Sequence, residues 1–322
     1  MKMTKKDLKK SLNPFGIIML IVLLFYSISL FIPLAFGLLT SFKQVMDFGA
    51  PNKNIIGLPN WELWKVDPHN PGNIFGNYLF SLKYMEFQQT ISYVVGVFNK
   101  RIVTTIVKNN IWDCLVNTLF YAIGSGITSA LGPMLMGYLC AKYRGKGANF
   151  IYGIVLFVMA TPIVGTQPTT IDLYRALGIY NEIWGFWIGN FTFTNMYFLV
   201  FYAFFYGLSD TYSEAAEIDG ASQFRTMVQI NMPLALNIFY TIFLLRFINF
   251  WNDYNTPMLY LPTKPTLAYG IYYVTERMTG AAVNLEPRKT AILMLFAMPI
   301  LALFIAFRDK LMGNLSMGGI KE

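Results

Sequence analysis

The run Glu214-Ala215-Ala216-Glu217-Ile218-Asp219-Gly220-Ala221, with Ile230-Asn231-Met232-Pro233 after it, decides how this chain is read. It forms a polar island between two apolar segments, each long enough to cross a bilayer. Asp210, Glu214, Glu217 and Asp219 share the stretch 209–233 with one basic residue, Arg225. Thr211-Tyr212-Ser213-Glu214 fits a capping box, in which Thr211 caps a helix and Glu214 reaches back to its amide. The early carboxylates also sit well near the positive helix end. Gly220 suits the left-handed position that closes a helix. Ser222 can cap a second helix running to Met232-Pro233, and Pro233 then opens the next apolar span, where its missing N–H costs nothing. The expected product is a helix–turn–helix on a membrane face, built to dock on another protein.

The rest of the chain agrees with a membrane setting. It is 55% hydrophobic and 13% charged, with a mean hydropathy of +0.45, unlike a soluble domain. The apolar segments run roughly 15–40, 111–141, 149–168, 187–208, 234–256 and 291–308. A net charge of +8 is explained largely by Lys and Arg flanking these segments, and no stretch interleaves basic and aromatic residues as a nucleic-acid groove would. Lys2, Lys5, Lys6, Lys9 and Lys10 precede the first segment, Lys142, Arg144 and Lys146 follow the second, and Arg308, Lys310 and Lys321 end the chain. Basic residues in short loops mark the cytoplasmic side. The expectation is an all-α, polytopic plasma (inner) membrane protein of six transmembrane helices with both termini cytoplasmic. Residues 1–14 are the cytoplasmic N-terminus, 15–40 the first helix and 41–110 an extracytoplasmic loop. Residues 111–308 form a five-helix core that includes loop 209–233, and 309–322 form a cytoplasmic tail. The basic N-terminus with its apolar run imitates a signal peptide, but the run is too long and lacks a clean cleavage site, so a retained span is expected.

Several chemistries are excluded. Cys114 and Cys140 lie near opposite ends of one helical segment, roughly 39 Å apart at 1.5 Å per residue, too far for a disulfide. His69 is the single histidine, within Asp67-Pro68-His69-Asn70-Pro71, and no metal site is expected. Gly145-Lys146-Gly147 lacks the Ser/Thr and the spacing of a phosphate-binding loop, and there is no nucleophile elbow. No catalytic residue is expected, and the chain should not hydrolyse ATP itself.

The 214–233 stretch resembles the EAA loop of binding-protein-dependent ABC importers, and the resemblance extends along the chain. Asn117-Thr118-Leu119, Gly137-Tyr138-Leu139-Cys140-Ala141-Lys142-Tyr143, Leu177-Gly178-Ile179-Tyr180-Asn181 and Trp251-Asn252-Asp253 appear in the order found in carbohydrate-uptake permeases of the maltose-permease type. The ending from Arg308 to Lys321 resembles the tail of the smaller, second subunit of the pair. Met232-Pro233 stands where the family usually has Leu-Pro, Leu208-Ser209 where it has Ile-Pro, and the stretch 43–110 is longer than expected. The resemblance implies a type I ABC importer transmembrane fold. The implied partners are a homologous second permease subunit, two ATP-binding subunits, an extracytoplasmic solute-binding protein and a carbohydrate substrate. No cofactor is held by this chain; ATP and Mg belong to the partner ATPases. Glu214, Ala215, Ala216, Asp219, Gly220, Ala221, Ile230 and Pro233 then form the ATPase-coupling loop. Gly313, Ser316, Gly318 and Gly319 form a C-terminal ATPase contact. Docking of the binding protein is the role expected of the long outer loop.

A solute path should appear as a polar stripe within a span. Arg246, Asn249 and Asp253 fall at i, i+3 and i+7, on one helix face, with Phe239 and Phe250 near it and Asn252 adjacent. Asn195, Tyr202 and Tyr206 form a weaker stripe one segment earlier. Amides and carboxylates beside aromatic rings suit a sugar passage. The same residues are also compatible with Arg246 pairing to a carboxylate of another subunit and Asn249 packing between helices. An importer for a different solute, a stand-alone transporter or channel, and a membrane enzyme remain the alternative readings; the last needs a catalytic cluster that is not found.

Overall fold

A computed structural model describes residues 14–48, 53–66, 72–84, 86–95, 101–143, 145–161, 165–277 and 286–315. The described chain is mostly helical, and it divides into two compact units.

The first unit holds Met1–Met85 and Val274–Ala297. Helix α1, Pro14–Ser41, is apolar throughout, and only Gly37, Thr40 and Ser41 are buried. A helix apolar on all sides and exposed along most of its length is suited to lipid. Two short helices, α2 (Val45–Phe48) and α3 (Gly76–Tyr84), follow with a 3₁₀ turn at Trp61–Val66 between them. Buried polar groups fix this region. The amide of Asn77 donates to the carbonyls of Ser41 (2.8 Å) and Lys43 (2.7 Å). The indole of Trp64 donates to the Phe42 carbonyl at 2.9 Å. The Lys43 ammonium donates to the carbonyls of Asn54 and Ile55, both at 2.7 Å. Burial holds the Lys43 pKa below its ordinary value, opposed by the nearby Asp47 carboxylate.

The second unit holds Glu86–Tyr273 and Met298–Glu322. It opens with an antiparallel hairpin, β1 (Glu86–Val95) and β2 (Arg101–Asn110), with Glu86 opposite Asn110 and Val95 opposite Arg101. This corrects the all-α expectation for the stretch 41–110. The β-branched residues Thr90, Ile91, Val94, Ile102, Val103, Thr104, Thr105, Ile106 and Val107 favour an extended backbone. Asn110 ends β2 and directly caps α4, Ile111–Lys142, in a capping box with Asp113.

The remaining helices are α5 (Lys146–Ala160), α6 (Gln167–Ala176), α7 (Ile183–Asn190), α8 (Met196–Gly207) and α9 (Thr211–Ile218). They continue with α10 (Gln223–Thr226), α11 (Met232–Leu234), α12 (Leu236–Asn252), α13 (Asn255–Tyr260), α14 (Leu267–Tyr272) and α15 (Glu286–Leu315). Helix α4 is the spine of the second unit and packs against α7, α8 and α12. Its small residues permit this closeness. A Cβ on Gly132 would lie 2.7 Å from the Thr192 carbonyl oxygen, and one on Gly137 would lie 2.9 Å from both the Phe201 Cβ and the Tyr202 backbone nitrogen.

Two expected spans are differently built. The segment 149–168 ends as a helix at Ala160; Thr161 is extended (φ −83°, ψ 119°), as the residue before a proline prefers. The segment 187–208 is two helices, α7 and α8, separated by residues 191–195. Asn195 caps α8 by accepting from the Tyr197 N–H at 3.0 Å. Helix α15 continues to Leu315, so Gly313 is helical rather than part of a loose tail. His69, Ser316, Gly318 and Gly319 lie outside the described residues. Among the described residues three helices are long and apolar enough to cross a membrane, or four if the bent pair Gln223–Leu234 and Leu236–Asn252 counts as one span.

Candidate functional site

The 209–233 segment folds as two short helices around a tight turn. Its start corrects the expected capping box. The N-cap is Asp210, not Thr211, and its side chain makes no cap hydrogen bond. The Asp210 carboxylate is instead drawn to the Lys142 ammonium at 2.7 Å. The Thr211 N–H donates to the Ser209 hydroxyl at 3.3 Å. The turn itself follows the sequence logic. Gly220 has φ +77°. The Ala221 N–H reaches the Ala216 carbonyl at 2.9 Å and the Gly220 N–H reaches Glu217 at 3.0 Å, closing α9 in a Schellman motif. Ser222 caps α10 by accepting from the Arg225 N–H at 3.4 Å. Gln223 donates to the Glu217 carboxylate across the turn.

A π-helical turn, Met227–Asn231, precedes α11, and the chain then bends by 68° into α12. Pro233 has no N–H to donate to the carbonyl four residues back, at Gln229, which lies in the π-helical turn; the bend itself falls at Ala235. Pro233 thus sits in α11, ahead of the span it was expected to open.

Helix α4 grips this segment at several points. Asn231, fully buried, donates to Tyr138 and to Ser213, each at 3.2 Å. Lys142 donates to the Leu208 carbonyl (2.7 Å) as well as to Asp210. Tyr143 donates to Gln223 at 3.2 Å. Ala216 is buried beneath α9, whereas Ile218 is 87% and Phe224 71% exposed. These two apolar side chains stand beside the exposed carboxylates of Glu217 and Asp219, at the tip of a braced segment. Gly220→Leu is expected to strain this tip by its backbone alone, because the space beyond the Gly220 Cα is open. A left-handed non-glycine residue costs about 1–2 kcal/mol. Solute-stimulated ATPase of the assembled complex should fall about threefold to tenfold, and an unchanged value would refute the role of the turn.

A second feature of the same unit is a cavity of about 410 Å³. Helix α4 contributes Tyr121; α6 contributes Gln167, Thr170 and Tyr174; α7 contributes Phe186 and Asn190. Helix α12 and the residues after it contribute Arg246, Asn249, Phe250 and Asp253, and α13 contributes Thr256 and Tyr260. Tyr121, Tyr174, Phe186, Phe250 and Tyr260 form one edge-to-face cluster with centroids 5.4–5.7 Å apart. Asp253 accepts from the Tyr121 hydroxyl at 3.1 Å and from the Thr256 N–H at 3.0 Å. Arg246 donates through Nε to Ser129 at 3.3 Å, and its guanidinium carbon lies over the Phe250 ring, 4.7 Å from its centroid.

The cavity gathers four residues picked from the sequence, Arg246, Asn249, Phe250 and Asp253, and leaves out five, Phe239, Asn252, Asn195, Tyr202 and Tyr206. Asn252 is exposed and donates to the Ile248 carbonyl at 2.9 Å. Asn195 is a helix cap, Tyr202 lies tilted against Tyr152 with ring centroids 4.6 Å apart and stacks with Tyr206 at 5.7 Å, and Phe239 meets Tyr240 edge to face at 6.0 Å. The α6 residues were missed although Gln167, Thr170 and Tyr174 repeat the i, i+3, i+7 spacing. Only Gln167 falls within an expected apolar segment, 149–168; Thr170 and Tyr174 lie beyond it, in an amphipathic helix.

The profile of the family described as "Binding-protein-dependent transport system inner membrane component" matches residues 133–316, more than half of the chain. The chain belongs to this family. It is an ABC-importer permease component and a multi-pass membrane protein. The arabinooligosaccharides transport system permease protein AraQ of Bacillus subtilis (strain 168) is 24% identical over 211 residues, covering 64% of this permease and 72% of that one. The spermidine/putrescine transport system permease protein PotC of Escherichia coli (strain K12) is 26% identical over 216 residues, covering 65% and 80%. A solved bacterial ABC transporter, described as involved in the import of the acidic polysaccharide alginate, superimposes with a TM-score of 0.67 at 21% identity, over 96% of this permease and 99% of that chain. That last likeness concerns the fold. The family match spans the braced segment and every cavity-lining residue except Tyr121.

Proposed function

We propose that this permease passes a sugar or oligosaccharide, delivered by an extracytoplasmic binding protein, into the cytoplasm. It works with a homologous second permease and two ATP-binding subunits that hydrolyse ATP, while this chain carries no ATPase site of its own. Six spans place both termini and the 209–233 segment on the cytoplasmic side. The ATPase subunit grips the Ile218–Phe224 tip; Glu214, Ala215, Ala216, Asp219, Gly220, Ala221, Ile230 and Pro233 shape it. The end of the chain, with Ser316, Gly318 and Gly319, adds a second ATPase contact.

The observation that carries this reading is the cavity lining. Five aromatic rings line it together with the amides of Gln167, Asn190 and Asn249 and the hydroxyl of Thr170. Aromatic faces cover the apolar faces of sugar rings, and a few placed polar groups take the hydroxyls. Helix α4 connects cavity to tip: Tyr121 and Lys142 are about 32 Å apart along one helix at 1.5 Å per residue. The relation to AraQ agrees with a sugar cargo. The relation to PotC and the carboxylate of Asp253 favour a second reading, a cationic solute such as a polyamine.

Affinity purification from the native membrane in mild detergent tests the proposal. It should recover a second permease and a nucleotide-binding subunit, with ATPase activity stimulated by sugar-loaded binding protein. Recovery of this chain alone would refute it, and stimulation by polyamine-loaded but not sugar-loaded protein would favour the second reading.

A further inference from the structure

Arg246 carries a charge that the described chain does not neutralise. It lies on α12, six residues before the helix end, and lines the cavity. Its Nε donates to Ser129, and the guanidinium carbon lies over the Phe250 ring, 4.7 Å from its centroid. Among the described residues no carboxylate lies within ion-pair distance of it, and its two Nη groups have no hydrogen-bond partner. The carboxylate of the same cavity is committed elsewhere, since Asp253 accepts from Tyr121 and Thr256. Arg246 and Asp253 are also about 10 Å apart along the helix axis. An unpaired cation within a transmembrane bundle is costly and marks a solute path or a partner charge.

The bracing of this side chain separates those uses. The Phe250 ring on one side and a bond at Nε hold the guanidinium in the cavity while leaving its Nη groups without a partner among the described residues. A planar fork held in this way matches a carboxylate or a sulfate bidentately. The hydroxyls of a neutral sugar are met equally well by Asn249 and Asn190, which carry no charge. We propose that Arg246 binds an anionic substituent of the cargo, making this cavity selective for acidic sugars such as uronates over their neutral counterparts. The inference rests on the sugar reading given above and adds the charge of the substrate.

The test uses the complete complex in proteoliposomes with its binding protein. Uptake is measured for matched pairs, galactobiose with digalacturonate and cellobiose with cellobiouronate, and for spermidine. The wild type should import the acidic member of at least one pair. Arg246→Gln should lower that uptake at least tenfold more than it lowers uptake of the neutral member, and Arg246→Lys should retain part of the acidic uptake. Import of neutral sugars alone overturns the inference while leaving the sugar reading intact. An equal loss of both members in Arg246→Gln also overturns it, as does unchanged acidic uptake. Loss of the assembled complex in Arg246→Gln with full recovery in Arg246→Lys identifies an ion pair with a partner subunit and overturns it as well. Import of spermidine alone, or of no sugar, removes the sugar reading together with the inference.

Discussion

Replacing Gly137 by leucine should remove most of the assembled permease from the membrane. A Cβ at this position would stand 2.9 Å from the Tyr202 nitrogen and 3.2 Å from the Phe201 carbonyl carbon. These are backbone atoms of α8, so no flexible side-chain end can swing away. The neighbouring packing is also closed: Phe201 and Phe205 are fully buried, and Tyr138 meets Phe205 edge to face at 5.2 Å. Overpacking a well-filled core costs about 1–3 kcal/mol, and more where the backbone must move. A loss of that size changes cellular abundance several-fold. Gly137→Ala should be milder, and full-level complex in Gly137→Leu would show that α4 and α8 are not packed this closely.

The second large effect is expected at Asn231, where assembly and coupling should come apart. Its amide ties α9 to α4 through Ser213 and Tyr138, inside the π-helical turn that precedes the 68° bend. Asn231→Leu removes both bonds at once. It leaves the Tyr138 hydroxyl, in a buried residue, without this donor, a cost of about 1–3 kcal/mol. The Lys142–Asp210 and Tyr143–Gln223 links remain, so the segment stays folded and able to dock. The expected result is a complex of normal composition whose ATPase is no longer raised by loaded binding protein, with stimulation reduced about tenfold. Unchanged stimulation would mean that force passes by another route.

The readability of the fold follows the kind of signal each element carries. The apolar run 15–40 and the helix Pro14–Ser41 nearly coincide, because a helix facing lipid needs only continuous hydrophobicity. Gly220 and Ser222 were legible because turn and cap chemistry is local. Thr211 was misread because the competing group is distant: Lys142, on α4, takes the Asp210 carboxylate and shifts the helix start by one residue. The hairpin 86–110 was missed because attention to apolar length hides the period of a strand. The break at residues 191–195 was hidden because Phe191 and Phe193 keep the stretch apolar while Thr192, Thr194 and Asn195 end the helix. A third of the cavity lining was legible for a similar reason. Arg246, Asn249 and Asp253 stand out as polar residues in an apolar span, whereas Gln167, Thr170 and Tyr174 lie in an ordinary amphipathic helix.

The central claim is that the tip formed by α9 and α10 is where an ATPase moves this permease, and site-directed crosslinking tests it most directly. Ile218 is 87% exposed, and both native cysteines, Cys114 and Cys140, are buried, so Ile218→Cys offers a single reactive position. The variant is labelled in the intact membrane complex with a maleimide carrying a photoreactive group, then illuminated. The account predicts an adduct between this permease and the nucleotide-binding subunit, with a yield that changes when ATP is bound. Complete labelling in an intact complex with no adduct to that subunit would contradict it.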